Sequence, residues 1–276
     1  MSEGGRSMST GPRVMVSGAG AGGIGGEICR KLARDAAARG ERARIVACVT
    51  GAKQDIHDLV TELREIGADA IGLSGDLADP AVPDRLVHEA VAFCGGLDGL
   101  VANAAIRSDG PLLGLAVSEW DEVFAVNTRA IWLLARAAHP ALKESRGAIV
   151  AITSIAGMYP HVNFGAYPPS KAALINLCQT LASEFAPDGI RVNSIAPGMI
   201  TTRKNEALYA DPAYAATRNA IVPMGRVGQP GDIAGAVALL LSKEAGYITG
   251  QNIAVDGGFS FSVMVRLPTR KAPPQT

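Results

Sequence analysis

Residues 13–40 read RVMVSGAGAGGIGGEICRKLARDAAARG, and the fold follows from how this stretch is read. It opens on the apolar run VMVS, breaks into glycines, and continues as a helix whose apolar residues Ile24, Ile28 and Leu32 repeat at helical spacing. A strand that passes through glycines into a helix is built to hold a pyrophosphate. A Cβ would obstruct both the turn and the approach of phosphate oxygens to the backbone. The helix start adds unpaired N–H groups and the positive end of its dipole. The G-x-G-x-x-G spacing fits twice, as Gly18/Gly20/Gly23 and as Gly20/Gly22/Gly25. The strand before it and the helix after it give the motif its weight. No G-x(4)-G-K-[ST] occurs in the chain, which argues against a nucleoside-triphosphate loop.

Working outward, the same alternation repeats. Apolar runs at 14–17, 44–49, 70–74, 99–102, 148–153, 191–195 and 252–255 read as strands. Helical patterns lie between them at 24–39, 56–66, 82–93, 119–138, 171–185 and 232–241. Runs such as AIVAIT and RIVACV are continuous rather than alternating, the mark of strands covered on both faces. The fold class is therefore α/β: a Rossmann-type, doubly wound parallel sheet with helices on both faces, in a single domain. Residues 1–12 read as a disordered leader, 13–261 as the domain, and 262–276 as a Pro-rich, basic tail. Ser118, three residues before Asp121, reads as a helix cap, and Pro83 as a first-turn proline.

Composition narrows the function. Among 276 residues, 26 Lys and Arg balance 26 Asp and Glu, so no net charge draws the chain to nucleic acid or an anionic membrane. No apolar run has the ~20 residues of a membrane span. Cys29, Cys48, Cys94 and Cys178 show neither metal nor disulfide spacing, so they read as reduced thiols of a cytoplasmic protein with no metal site. Glycine is in excess, 32 residues, about 12% against a typical ~7%.

The second strand ends in ACVTGAK, so Thr50 stands where an acid would hydrogen-bond a ribose diol, with Lys53 three residues on. Without an acid there, a ribose phosphate meets no repulsion, and the reading leans to NADP over NAD. Further on, Tyr167 and Lys171 are four apart and share a helix face. A neighbouring ammonium favours phenolate and would bring a tyrosine down from its reference ~10. Ser154 ends the apolar strand AIVAIT, on the side where ligands bind in such sheets.

With these residues in hand, the chain resembles the short-chain dehydrogenase/reductase family over 13–259, in particular its short, 3-oxoacyl-carrier-protein-reductase-like branch. The family's Y-x-x-x-K appears as YPPSK, and its serine, thirteen residues earlier, as Ser154. Its helix asparagine matches Asn127 in FAVNTRA. The acid after the third strand matches Asp76, beside Leu77, and its N-N-A-G appears as ANAA with Asn103 retained. Its P-G matches Pro197 and Gly198, followed by Met199, Ile200, Thr201 and Thr202, and its DGG lies at 256–258.

The resemblance implies an NAD(P)-dependent oxidoreductase that interconverts a secondary alcohol and a ketone by hydride transfer. Tyr167 is then the general acid/base, Ser154 holds the substrate oxygen, and Lys171 tunes Tyr167 and holds the nicotinamide ribose. Asn127 positions a water in a proton relay. The cofactor-binding set is Gly18, Gly20, Gly23, Ile24, Gly25, Thr50, Asp76, Leu77, Asn103, Tyr167, Lys171, Pro197, Gly198, Ile200 and Thr202. The pocket is closed by 157–166 and by the segment after Gly198, with His161, Arg203 and Arg218 among apolar groups. The partners implied are a small ketone or alcohol and other copies of the chain, as a homotetramer or homodimer. A catalytically inactive nucleotide sensor or scaffold on the same fold is the alternative; the intact trio counts against it.

Three departures stand out. The glycine loop has serine for threonine and one residue more before Gly23-Ile24-Gly25, so it must bulge. ANAA lacks the family's first Asn and final Gly. Pro168 and Pro169 follow Tyr167 directly, which places the helix start at Pro168. The segment 199–221 shows no strong fixing contacts in sequence and reads as a mobile lid.

Overall fold

The computed structural model describes residues 9–51 and 53–262. Seven strands form one parallel sheet in the order β3-β2-β1-β4-β5-β6-β7. They are β1 (Ser9–Ser17), β2 (Glu41–Val49), β3 (Asp69–Ser74), β4 (Gly99–Ala102), β5 (Ala148–Ile152), β6 (Arg191–Pro197) and β7 (Asn252–Val255). The order reverses between β1 and β4, which opens a crevice at their carboxyl ends. β1 begins at Ser9, inside the stretch expected to be a leader, because Ser9 and Thr10 pair with Glu41 and Arg42 of β2. The tail beyond Ser262 lies outside the described residues.

The major helices are α1 (Ile24–Ala38), α2 (Lys53–Ile66), α3 (Val82–Cys94), α4 (Val117–Phe124), α5 (Ala130–Ser145) and α6 (Tyr167–Phe185). After β6 come α7 (Glu206–Tyr209), α8 (Pro212–Ala220) and α9 (Pro230–Leu241). The sheet divides the core in two. On one face Val14, Val16, Ile45, Ala47 and Val150 pack with Ile28 and Leu32 of α1, Leu59 of α2 and Val237 of α9. On the other face Met15, Val46, Leu100 and Ile149 pack with Leu86 of α3, Leu134 of α5 and Leu174 of α6. Adjacent residues of one strand thus feed opposite layers, which is why the strands read as unbroken apolar runs.

Some local expectations needed correction. The helix expected at 119–138 is α4, a π-turn at Ala125–Arg129, and α5 running through Pro140 to Ser145. Ser118 does not cap α4; the cap position is Ala116, and no side chain caps it. A capping box does occur, at Gln229 and Asp232 of α9. Helix α6 starts at Tyr167, one residue before the expected Pro168, with both prolines in its first turn, where no backbone donor is missed. Among the described residues, no helix is long and apolar enough to cross a membrane.

Candidate active site

Every element expected to carry chemistry ends on the same edge of the sheet. The glycine loop follows β1, Thr50 follows β2, Asp76 follows β3, Asn103 follows β4, Ser154 follows β5 and Gly198 follows β6. A cleft of about 600 Å³ lined by Arg42, Arg44 and Arg64 opens elsewhere, by the start of β3. Its arginines serve the fold: Arg44 Nη1 donates to Cys94 O at 2.8 Å and Arg64 Nη2 to Ala70 O at 2.8 Å.

The glycines fall into two groups. Gly18 has φ +64°, and a Cβ there would lie 2.7 Å from Ala104 Cα. A Cβ on Gly26 would lie 2.6 Å from Gly20 O, and one on Gly25 would strike Gly18 O. These three let the loop and the start of α1 press together. Gly20 and Gly23 face open space instead: nothing stands within 4 Å of a Cβ on Gly20, and only Gly20 O at 3.6 Å near one on Gly23. The extra residue is taken up in a turn in which Gly23 N–H donates to Gly20 O at 3.0 Å. Gly23 caps α1 without any side-chain partner for the helix N–H groups. A cradle of bare backbone at a helix N-terminus suits a dinucleotide pyrophosphate. When bound, such a cofactor supplies a nicotinamide ring that gives or takes a hydride.

Asn103 serves the loop from beneath. Its Nδ2 donates to Gly18 O at 2.8 Å, and Ser17 Oγ accepts the N–H of Asn103 at 3.1 Å and of Ala104 at 3.2 Å. The serine that replaces threonine thus ties β1 to the end of β4. Asp76 Oδ1 accepts Ala78 N–H at 2.9 Å, and Leu77 is buried. Thr50 Oγ1 donates to Gly75 O at 3.2 Å from an exposed position. The Lys53 side chain lies outside the described residues. Gly198 was expected to admit the nicotinamide; its missing Cβ makes room for Asp256, whose Cβ would lie 2.6 Å away. Asp256 in turn accepts the N–H groups of Gly258 at 2.9 Å and Ser260 at 2.7 Å.

Ser154 and Tyr167 meet across the crevice. Ser154 starts the turn Ile155–Gly157 and accepts Ala156 N–H at 3.1 Å. A Cβ on Gly157 would lie 2.7 Å from the Lys171 carbonyl carbon, so this glycine lets the turn lie directly on α6. Burial pushes the Tyr167 phenol up, while a hydrogen bond with Ser154 and the positive charge of Arg107 pull it down. The net direction is upward, against the lowering expected from Lys171. The reason is where the ammonium goes. Lys171 is 1% exposed, with Nζ 5.7 Å from the Tyr167 ring centroid and donating to Ile152 O at 2.7 Å. Burial brings its own pKa down to about 8.

Asn127 sits in the π-turn, fully buried. Its Oδ1 accepts Ile106 N–H at 2.9 Å; its Nδ2 donates to Ile106 O at 2.9 Å and to Ser170 Oγ at 3.0 Å. Ser170 Oγ donates to Tyr167 O at 2.7 Å. The side chain expected to hold a water is therefore spent on positioning Ile106 and, through Ser170, the backbone of Tyr167.

Sequence reasoning missed two residues. Ser170 lies inside YPPSK, where spacing alone gives it no role. Arg107 lies on the loop after Ile106, its Cζ 4.6 Å above the Phe164 ring and its Nη2 2.8 Å from Asp109. That loop is stitched to the approach to Tyr167: Ala166 N–H donates to Ser108 Oγ at 2.8 Å and Gly165 N–H to Gly110 O at 3.0 Å. An Arg just past the ANAA motif was the available signal. His161 stacks edge-on against Phe164 at 4.2 Å.

The segment 199–221 is better fixed than expected. Asn205 accepts Thr202 N–H at 2.7 Å and donates to Ile200 O at 2.9 Å. Gly228 N–H donates to Met199 O and Thr201 N–H to Gly228 O, each at 2.9 Å, and Tyr209 packs on Tyr214 at 5.4 Å.

Residues 19–260 match the family described as enoyl-(acyl carrier protein) reductase. The chain is 36% identical over 238 residues to dehydrogenase/reductase SDR family member 4 of Bos taurus, covering 86% of this chain and 83% of that one. It is 33% identical over 252 residues to 3beta-hydroxysteroid dehydrogenase 1 of Eggerthella lenta, covering 91% and 94%. Among solved structures, a short chain dehydrogenase from Burkholderia cenocepacia in complex with NADP superposes with a TM-score of 0.81 at 31% identity, covering 92% of this chain and 99% of that one.

Proposed function

Because the chain belongs to the short-chain dehydrogenase/reductase family, we propose that it interconverts a secondary alcohol and a ketone, with Tyr167 as the proton donor and acceptor. The observation that carries this reading is the meeting of Ser154, Tyr167 and Lys171 beside the bare-backbone cradle at the start of α1. In reduction, a bound nicotinamide would supply the hydride that the carbonyl carbon takes up. The carbonyl oxygen, held by Ser154, takes the Tyr167 proton. In oxidation Tyr167 accepts the hydroxyl proton as the hydride leaves. Lys171 lies by the Tyr167 ring, where its ammonium would hold the nicotinamide ribose of a bound cofactor. Any relay at Asn127 runs past its main chain, since its side chain is already engaged.

NADP is the favoured cofactor: β2 ends in Thr50 rather than an acid, and the Burkholderia cenocepacia relative binds NADP. The substrate is a medium-sized ketone or alcohol, a reading supported by the apolar residues Met158, Tyr159, Phe164, Leu208 and Tyr209 of the two segments expected to close the pocket. The catalytic unit is a single domain over 13–261, extended forward to Ser9. A homotetramer or homodimer is supported by Trp120, Trp132 and Leu113, exposed on neighbouring elements, and a cytoplasmic setting by four buried, unbridged thiols. Light scattering at micromolar concentration checks the assembly, and a monomer would defeat it.

A panel of ketones and secondary alcohols assayed with NADH, NADPH and their oxidised forms tests the reading. Turnover with NADPH above NADH is the expected outcome; bound dinucleotide with no turnover of any carbonyl or alcohol would sink it. Arg107 adds a sharper prediction. Its positive charge draws the Tyr167 phenol down, so Arg107→Gln should move the tyrosine-dependent limb of the pH–rate profile to higher pH. Because oxidation needs the phenolate, the variant loses oxidation rate below that limb and retains reduction to higher pH. An unmoved limb refutes the electrostatic role.

A further inference from the structure

The bulge in the glycine loop has an occupant. Gly22, the residue just before the α1 cap, accepts Arg203 N–H at 3.0 Å through its carbonyl oxygen. A Cβ on Gly22 would lie 2.6 Å from Arg203 Cβ and 2.5 Å from its Nε. The Arg203 side chain therefore lies across the bare Gly22 backbone. Gly22 does not have a left-handed φ, so close packing of Arg203, rather than the turn, is what demands glycine there.

Two features make this more than a packing detail. Arg203 is exposed, and it packs on the loop at Gly22, between Gly20 and Gly23, which leave backbone bare. Its own segment continues from Pro197 and Gly198 through Ile200 and Thr202, on the nicotinamide side of the crevice. One residue thus links the wall at one end of the expected cofactor to the cradle at the other.

We propose that Arg203 is a positioning residue for the cofactor: its guanidinium clamps the dinucleotide diphosphate over the α1 N-terminus and, through Gly22, ties the segment 199–221 to the loaded cradle. A diphosphate carries two negative charges, and a planar guanidinium fork matches its oxygens better than a point charge does. The proposal rests on the reading of the chain as an NAD(P)-binding oxidoreductase.

The test uses the full chain and does not depend on turnover. NADPH and NADH are titrated by nicotinamide fluorescence, and hydrogen exchange of peptides from 199–221 is followed with and without NADPH. Arg203→Gln should weaken both dinucleotides by a similar factor, roughly tenfold or more for a lost charge-assisted pair. It should also abolish most of the NADPH-induced protection of 199–221. Arg203→Lys should recover part of the affinity, since charge remains and the fork is lost. Gly22→Ala should displace the arginine and reproduce the loss, and the double variant Gly22→Ala/Arg203→Gln should add little to either single change. Unchanged affinity and protection in Arg203→Gln overturn the proposal. So do fully additive losses in the double variant. A loss confined to NADPH would put the guanidinium on the ribose phosphate and overturn the diphosphate assignment. Wild-type protein that binds neither dinucleotide would overturn the oxidoreductase reading itself, an outcome visible before any variant is compared.

Discussion

Tyr167→Phe is expected to leave dinucleotide affinity unchanged and to lower kcat by roughly 10²–10⁴-fold, the usual weight of a positioned acid/base. The substitution removes one oxygen from a half-buried ring and leaves α6 intact, because Tyr167 enters the helix through its backbone and not its hydroxyl. Ser154 keeps its bond from Ala156 N–H, so the oxygen-holding hydroxyl stays in place. The loss should therefore fall on kcat rather than KM. Steady-state kinetics together with NADPH fluorescence titration decide it. Near-normal turnover would remove Tyr167 from the chemistry, and lost cofactor affinity would show that its hydroxyl had been a binding contact.

Lys171→Met should be nearly as damaging to turnover, and it carries a second signature in stability. The ammonium is buried with Ile152 O as its hydrogen-bond partner, and burial lowers its pKa to about 8. In the unfolded chain a lysine titrates near ~10.4. Between those values the unfolded chain binds the proton that the folded protein has released. The wild type therefore gains stability as pH rises through that window, relative to a variant with nothing to titrate. The gain sums to roughly 3 kcal/mol over the window in the cofactor-free protein. Urea denaturation of both proteins at pH 7.5 and pH 10 measures it. Wild type should gain on Lys171→Met at the higher pH, and a constant difference would mean the amine is solvated. The Cys29 thiol, pushed up to about 12 by burial, titrates alike in both proteins and cancels; Cys178, also pushed up to about 12 by burial and drawn down by the Lys171 charge, lies above the window.

Much of this architecture was legible before any coordinates, for a physical reason. Strands covered on both faces must be apolar throughout, so the central strands β4, β5 and β6 stand out as runs, while the half-exposed edge strands β3 and β7 are marked by shorter apolar runs. The glycine loop stood out because crowding excludes every other residue at Gly18 and Gly25. What stayed hidden depends on tertiary partners. Ser9 and Thr10 join β1 only because β2 lies alongside. The π-turn at Ala125–Arg129 leaves helical periodicity intact on both sides, so α4 and α5 read as one helix. That helix was also expected to stop before Pro140, yet α5 carries the proline within it. The short helices α7 and α8 have too few apolar residues for a pattern. In the site, residue types announced Ser154, Tyr167 and Lys171. The tasks of Asn127, Asn103 and Arg107 depend on what each side chain reaches, and spacing does not encode that.

The reversed strand order also governs how the protein comes into being. The glycine loop is anchored through Asn103 and Ser17, and β1 pairs with β4 more than eighty residues away. Parallel pairings of such long separation close slowly, since loop entropy is spent before contacts repay it. The phosphate cradle is encoded within the first thirty residues but cannot stand until β4 is in place. Its opposite wall, from Gly198 to Arg203, arrives later still. A nascent or refolding chain should thus acquire secondary structure well before it can capture a dinucleotide. Added cofactor would then act on the last assembly step, as a ligand that selects finished molecules.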